Sequence, residues 1–397
     1  MNPARRHGGG DPLHVALLGS RGIPNRYGGY ETLFEELATR LVERGWAVTV
    51  YGRAHAVPAG LEEHRGVRLR VLPTFASKHL DTPVHTLLSA LDAALDRGAP
   101  YDAALVVNSA NALFVPILRS AGIPTALHVD GIEKRRAKWG RFGRAVYAAS
   151  ERLACVVADR LVTDAEVIRR HYEERYGVAS DPIAYGVEPR PIAADDEVDG
   201  GPSVLSRLGL EPRRYLLYVS RFEPENNPHR VVAAYGLLTA ARRDAMPLVM
   251  VGAAPYSGRF IAGFRTAADR RVVFPGAIYG DGYRQLLSHA FAYVHATEVG
   301  GTHPALVEAM GYGNALVVND AAENREVAGE TALWFRAAEP ATLAAAVERL
   351  LAAPAAELER RRAAAAERAA RLYTWSAVVD LYEALFRRLA APRHDLE

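Results

Sequence analysis

Three short segments of this chain hold residue types that could bind and polarise an anion. The first is GSRGIPNRYGGYET, residues 19–32, where Gly28-Gly29 precedes an amphipathic run and Arg21 and Arg26 add positive charge. Glycine at a helix mouth lets backbone N–H groups approach a ligand closely, which suits a diphosphate. The segment is neither the dinucleotide G-x-G-x-x-G nor a P-loop, which needs Gly-Lys-Ser/Thr. The second is RFEPENN, residues 221–227. An arginine at the end of a strand can grip a phosphate bidentately, so Arg221 is a candidate. Asn226 and Asn227 can donate hydrogen bonds to a ligand or cap the next helix. The third is TEVGGTHPALVEAMGYGNALVVND, residues 297–320, in which Gly300, Gly301, Thr302 and His303 stand before a helix expected from about Pro304. Glu308 falls about one turn inside that helix, where a carboxylate can accept two hydroxyls of a ribose or a sugar. Each segment alone also fits a strand-to-helix turn with no ligand. No His/Asp/Glu spacing here reads as a metal site.

Two further segments carry charge. In His128-Val129-Asp130-Gly131, Asp130 is placed either to orient an acceptor hydroxyl or simply to shape the turn beside Gly131. KRRAKWGRFGR, residues 134–144, holds six cations (Lys134, Arg135, Arg136, Lys138, Arg141 and Arg144) together with Trp139 and Phe142, and no acid. It reads either as a solvated basic helix end or as a contact with an anionic membrane or a lipid diphosphate.

These segments need a scaffold that presents loops at strand ends. The apolar run Leu13–Gly19 reads as a strand buried on both faces of a parallel sheet. A helix over Tyr30–Arg44 follows, with Leu33, Phe34, Leu37 and Leu41 at helical spacing and Gly45 as its stop. Further strands are expected over Ala47–Tyr51, Val67–Leu72, Ala103–Val107, Thr125–Val129, Arg160–Thr163 and Pro182–Tyr185. Residues 186–214, rich in Pro, Gly and acid, read as an interdomain linker with a short helix near Ser203–Leu208. Alternation then resumes with strands over Tyr215–Ser220, Pro247–Gly252, Val272–Phe274, Ala292–His295, Ala315–Val318 and Ala332–Phe335. The Ala/Glu/Arg-rich run Ala355–Leu372 and the amphipathic run Trp375–Leu389 read as helices. Strand–helix alternation of this kind predicts two doubly wound α/β domains, with a ligand cleft between them and ligands at the carboxyl ends of strands.

Composition bounds the function. At 397 residues the chain is too long for one ordinary core. Apolar residues make up 49% and charged residues 24%, which excludes disorder as the main state. Lys+Arg is 48 against Asp+Glu 46, so no global basic field favours nucleic acid. The single cysteine, Cys155, excludes a disulfide framework and reads as an inert thiol. No apolar run approaches the roughly 20 residues that span a bilayer, and the start has no apolar segment of signal-peptide type. A cytoplasmic location is the expectation, with peripheral contact at the inner face of the plasma membrane through 134–144.

The ordered set RGIPNRYGGYET, HVDGIEKRRAKWG, RFEPENN and EVGGTHPALVEAM resembles the family 4 retaining glycosyltransferases. The closest likeness is to a branch of bacterial polysaccharide enzymes that includes capsule rhamnosyltransferases. The similarity runs from about residue 13 to 388. It implies the GT-B fold: two Rossmann-like domains, 13–190 and 210–375, facing a central cleft, with helix 376–390 packing back on the first. It implies that Arg221 binds the donor diphosphate. The family's lysine falls on Asn226, so Arg21, Arg26 or another cation would have to compensate. Glu308 matches the family's second glutamate, expected at the nucleotide ribose. The first falls on Gly300, and Glu298, two positions earlier, is the candidate replacement at the donor sugar. Gly301, Thr302 and His303 should present backbone to the donor sugar and phosphate. Gly252 and Ile278 match positions lining the nucleotide, Gly28 and Gly29 the loop near the diphosphate, and Asp130 faces the acceptor.

The implied activity is transfer, with retention, of a sugar from a nucleotide diphosphate sugar to a saccharide acceptor, lipid-linked in cell-surface polysaccharide synthesis. L-rhamnose from dTDP-rhamnose is the expected donor, with neither cofactor nor metal. Two alternatives use the same motifs: a nucleotide-sugar epimerase of this shape, and a degenerate sugar-nucleotide-binding subunit, suggested by the losses at Asn226 and Gly300.

Overall fold

The computed structural model describes residues 12–25, 28–77, 80–96, 100–132, 136, 140–254 and 257–391. The chain divides into two compact units. Unit 1 comprises Met1–Lys134, Arg141–Ala184 and Trp375–Glu397; unit 2 comprises Arg135–Gly140 and Tyr185–Thr374.

Among the described residues, unit 1 contains a sheet of β1 (His14–Leu18), β2 (Ala47–Arg53), β3 (Glu63–His64), β4 (Val67–Leu72), β5 (Ala103–Val107), β6 (Thr125–Val129), β7 (Arg160–Thr163) and β8 (Ser180–Pro182). Their order is β3-β4-β2-β1-β5-β6-β7-β8, parallel except for the β3–β4 pair. β1 pairs on one side with β2 and on the other with β5, so the chain direction across the sheet reverses there. Such a switch point opens a crevice at the strand's carboxyl end, and the segment that begins at Gly19 leaves from it. Val15 to Leu18 are fully buried, as covering both sheet faces with helices requires.

The last helix, Trp375–Ala390, belongs to unit 1 and buries Trp375, Val378, Val379, Tyr382, Leu385, Phe386 and Leu389. The Phe386 ring lies 6.2 Å from Trp46, and Arg44 pairs with Asp380 at 2.6 Å and Glu383 at 2.9 Å. Each fully buried aliphatic or aromatic side chain is worth roughly 1.5–3 kcal/mol, so this apolar stripe outweighs the exposed ion pairs.

Unit 2 holds β9 (Leu216–Val219), β10 (Leu248–Val251), β11 (Val272–Gly276), β12 (Ala292–His295), β13 (Ala315–Asn319) and β14 (Ala332–Phe335). They form a parallel sheet in the order β11-β10-β9-β12-β13-β14. Here the switch point lies between β9 and β12, which pair as Leu216↔Ala292 and Tyr293↔Leu217. The loops after these two strands, 220–227 and 296–303, are therefore neighbours.

Three expectations need correction. The strand expected over Pro182–Tyr185 is Ser180–Pro182, and the short antiparallel β3 was not foreseen. Residues 186–214 are no free linker: this stretch is part of unit 2. Gln285, fully buried, pins it by accepting from Val204 N–H at 2.7 Å and donating to the carbonyls of Ala193 (2.6 Å) and Asp196 (3.1 Å). Composition alone reads as linker where one distant amide supplies the order. Among the described residues, no helix is long and apolar enough to cross a membrane.

Candidate functional site

The loop after β9 is held by its own side chains. The Asn226 side-chain amide donates to the Arg221 carbonyl at 2.7 Å, and the Ser220 hydroxyl donates to the same carbonyl at 2.9 Å. The Tyr218 hydroxyl donates to the Asn226 carbonyl at 2.6 Å. The neighbouring loop is stitched on by Asn227 Nδ2 donating to the Ala296 carbonyl (2.9 Å) and by Glu298 N–H donating to the Glu225 carbonyl (3.0 Å). Asn226, expected at the donor, is buried and uses its amide to shape the loop that carries Arg221. Gly252, at the end of β10, has φ +152°, and a Cβ there would stand 1.8 Å from the Ser220 carbonyl oxygen. Only glycine allows that approach. Its N–H donates to the Gly276 carbonyl at 2.9 Å, so Gly252 acts here on the strand ends.

Arg221 is half-buried, and among the described residues no carboxylate pairs with its guanidinium. Its charge bears on His303. That ring is held neutral, its pKa pushed down to about 3 by burial first, then by the charges of Arg136 and Arg221. The ring folds back over Gly300, where an added Cβ would meet it at 2.2 Å. It also lies 4.8 Å, centroid to centroid, from the ring of His295, the buried last residue of β12. Burial and His303 hold His295 well below the ordinary histidine range. A side chain at position 300 and this placement of His303 exclude each other, so an imidazole packs over bare backbone there.

His303 is also the residue before the helix Pro304–Gly311, and its side chain makes no capping bond. That helix has no acidic residue in its first turn. Its leading N–H groups have no intrahelical partners, and the helix dipole adds positive potential. Gly301 and Thr302 are buried just ahead of it. Glu308, one turn inside, accepts from the Tyr283 hydroxyl at 2.7 Å. Burial and Glu308 hold the Tyr283 phenol well above its usual range, so it stays a donor. Ile278, half-buried, leads into the helix Gly280–His289 that carries Tyr283. Glu298 is directed elsewhere: its carboxylate is 43% exposed and lies 3.5 Å from Arg230. It bears on His229 and is not among the charges acting on His303.

In unit 1, Gly28 precedes the helix Gly29–Glu43 in extended backbone. Tyr30 of this helix stands edge-on to His128, 5.6 Å between centroids. His128 is buried and pushed down to about 4 by desolvation, partly offset by Asp130, itself half-buried just past β6. Gly28, Gly29 and Asp130 thus gather at the carboxyl ends of β1 and β6. Arg21 offers its backbone N–H to Glu31 at 2.8 Å; Arg26 lies outside the described residues.

Residues 28–186 match the family model described as glycosyl transferase 4-like domain, and residues 213–353 match glycosyl transferases group 1. The chain belongs to the GT-B glycosyltransferases. No curated protein sequence matches it. Its fold is similar to sucrose-phosphate synthase from Thermosynechococcus elongatus, with TM-score 0.76 and 20% identity over 95% of this chain and 99% of that one. Anabaena HepE in complex with UDP-glucose gives TM-score 0.70 and 15% identity over 94% and 99%. The α,α-trehalose-phosphate synthase of Burkholderia vietnamiensis gives 0.68 and 14% over 95% and 100%.

The glycosyltransferase departs from expectation in its basic segment. Arg136 is 4% exposed, so it cannot meet a membrane. Arg141, Phe142 and Arg144, at the start of the helix Arg141–Val157, are exposed; Lys134, Arg135, Lys138 and Trp139 lie outside the described residues. Burial pushes the Cys155 thiol up to about 11, which agrees with an unreactive role. Sequence reasoning missed four residues around the site: Arg136, Glu225, Tyr283 and His295. His295 ends a strand beside a motif loop and could have been found by position. Glu225 lies inside RFEPENN and could have been found there; Arg136 and Tyr283 carry no local signal, because only the tertiary fold brings them in.

Proposed function

We propose that this glycosyltransferase transfers a sugar from a nucleotide diphosphate donor held by unit 2 to a saccharide acceptor, with retention. The observation that supports it best is Arg221, free of carboxylate partners among the described residues, near an uncapped helix N-terminus with Glu308 one turn inside. In the reaction the bond from the anomeric carbon to the diphosphate oxygen breaks, and negative charge grows on the leaving group. Arg221 and the amides leading into Pro304–Gly311 stabilise that charge. The acceptor oxygen bonds the anomeric carbon on the same face, and its proton passes to the departing phosphate oxygen. Glu308 holds the ribose. No divalent metal takes part, so activity survives excess EDTA; loss restored by Mg²⁺ or Mn²⁺ overturns that element.

The donor we favour is dTDP-L-rhamnose. The motif set resembles the rhamnosyltransferase branch, and a sugar one hydroxyl poorer suits a site where position 300 carries no carboxylate. UDP-glucose, which HepE binds, is the competing donor. The acceptor is lipid-linked and reached at an anionic membrane through exposed Arg141, Phe142 and Arg144. A thermal-shift screen of nucleotide sugars, followed by turnover with a saccharide acceptor and assignment of the product anomer, tests the reading. A retained anomer supports it. Inversion, conversion of the donor without acceptor, or no nucleotide-sugar binding overturns it. Serine at 141, 142 and 144 should weaken sedimentation with phosphatidylglycerol vesicles, and unchanged sedimentation removes the membrane contact.

A further inference from the structure

The ribose grip as read from the motifs is a single side chain, Glu308, and the structure gives its carboxylate a fixed partner. The Tyr283 hydroxyl donates to Glu308 Oε2 at 2.7 Å, and both side chains are half-buried. A glutamate left to itself samples several rotamers, and a ligand must then fix one of them at an entropic cost. A carboxylate oxygen accepts more than one hydrogen bond, so a short bond from a phenol turns the group without closing it to other donors.

Tyr283 can set that direction because its own helix, Gly280–His289, is braced. Residues 192–204 bond to it turn after turn. Asp199 Oδ2 accepts from Gly282 N–H at 3.1 Å. The Gln285 amide is bonded to Val204, Ala193 and Asp196. His289 Nε2 donates to the Ile192 carbonyl at 2.8 Å. At about 100° per residue, Gly282, Gln285 and His289 fall in one stripe roughly 60° wide, and Tyr283 lies about 100° from Gly282. The brace thus takes one side of the helix, and Tyr283 meets Glu308 from another. At the braced end the packing is close: a Cβ at Gly282 would stand 3.1 Å from Asp199 Oδ2 and 3.2 Å from Ile278 Cγ2.

We infer that Tyr283 is a positioning residue for the donor: its hydroxyl aims the Glu308 carboxylate at the ribose hydroxyls, and the braced helix holds that aim. This rests on the donor-site reading above and adds to it a residue that none of the motif segments contains.

The test is calorimetric binding of UDP and of its dideoxy analogue, which lacks both ribose hydroxyls, to wild type, Glu308→Gln, Tyr283→Phe and Asp199→Ala. Hydrogen bonds from the hydroxyls to a charged acceptor imply that wild type prefers UDP about ten- to a hundredfold. Tyr283→Phe keeps the ring and removes only the hydroxyl. It should lower that preference about three- to tenfold by weakening UDP, with the dideoxy analogue changed less than twofold. Equal weakening of both ligands marks a purely structural residue and overturns the inference. If Tyr283→Phe does not fold, Asp199→Ala, at an exposed position, decides alone: a lowered preference supports the inference, and an unchanged one overturns it. Wild type that binds both ligands equally sinks the reading of Glu308 at the ribose. A preference lost in Glu308→Gln but kept in Tyr283→Phe sinks only this inference.

Discussion

The glycosyltransferase contains two glycine turns that each open a helix at a sheet's switch point, and they are wired oppositely. In unit 1 the helix Gly29–Glu43 has Glu31 in its first turn, buried and accepting from Arg21 N–H at 2.8 Å. Glu35, one turn on, accepts from Asn25 N–H at 2.7 Å. The helix has no capping side chain either, but the loop before it is satisfied by the chain's own carboxylates, and Glu31 sets a negative charge in its first turn. In unit 2 the helix Pro304–Gly311 has no first-turn acid and no capping side chain, and the charges of Arg136 and Arg221 bear on the residue before it. Identical local grammar, glycine pair then helix, therefore describes one turn whose anion is built in and another that awaits one. The contrast favours unit 2 for the donor diphosphate and shifts Gly28 and Gly29 toward shaping a loop.

The strongest way to break this comparison is to remove Arg221. Arg221→Ala should lower kcat/KM about 100- to 1,000-fold, roughly 2.7–4 kcal/mol, the scale for one donor aimed at developing charge. Gly28→Ala, whose added methyl would meet only Glu31 Oε2 at 3.5 Å, should change it by less than about threefold. Steady-state kinetics that rank the two variants the other way would move the diphosphate to unit 1.

A second test concerns the bare backbone under His303. Gly300→Ala puts a methyl 2.2 Å from that ring, and overpacking of this kind costs about 1–3 kcal/mol. The variant should unfold at lower denaturant, and His303→Ala in the same chain should restore most of the loss. Equal stability of Gly300→Ala and wild type would mean that the ring moves freely and that position 300 could still carry an acid.

The fold was legible in the sequence because strands buried on both faces write themselves as continuous apolar runs. Thirteen of the strands among the described residues overlap expected runs, from His14–Leu18 to Ala332–Phe335, although β8 shares only Pro182. What failed was long-range. Residues 186–214 lack periodicity, and nothing near them announces Gln285. The positions of Arg221, Gly301 and Glu308, after β9 and around the start of Pro304–Gly311, were legible because a motif and a helix phase locate them. The neighbour of Glu298 was not legible, because spacing from Gly300 says nothing about Arg230, which lies far away in sequence and 3.5 Å from its carboxylate. Arg136 was read with its basic neighbours as one surface feature, yet Glu225 and His303 draw it into the interior of unit 2.

The pH response should sharpen the contrast between units. His85 and His128 in unit 1 are pushed down to about 4, and His303 in unit 2 to about 3, each chiefly by burial. A histidine whose folded pKa lies below its unfolded value contributes stability that is fully present above about pH 6.5. It is lost as pH falls, because the unfolded chain takes the proton first. Each such residue contributes a slope of about 1.4 kcal/mol per pH unit between pH 6.5 and its folded pKa. His303→Gln should flatten the pH 6.5–5 stability slope by about that amount, as read from urea unfolding. Donor binding should not follow His303 over pH 5–8, where the ring stays neutral. A diphosphate affinity that rises sharply below pH 6.5 in wild type and not in His303→Gln would mean that the ring charges beside the ligand.

The smallest effect tests the comparison most directly, by exchanging the two wirings. Ala305, half-buried in the first turn of Pro304–Gly311, can be replaced by glutamate to imitate Glu31. A first-turn carboxylate interacts with the helix end by about 0.3–1 kcal/mol. Once present it satisfies the potential that the diphosphate would otherwise use, and it repels the ligand. Affinity for dTDP or UDP should fall about two- to fivefold, more at low salt, where screening reaches less far. The opposite exchange, Glu31→Gln, keeps an oxygen for Arg21 N–H but removes the charge. It should leave nucleoside diphosphate affinity within twofold and cost about 0.5–1.5 kcal/mol of stability, the net worth of the hydrogen bond it weakens. Titrations in which Glu31→Gln gains diphosphate affinity while Ala305→Glu loses none would reverse the assignment and make the first turn, with its built-in anion removed, the site that a donor can fill.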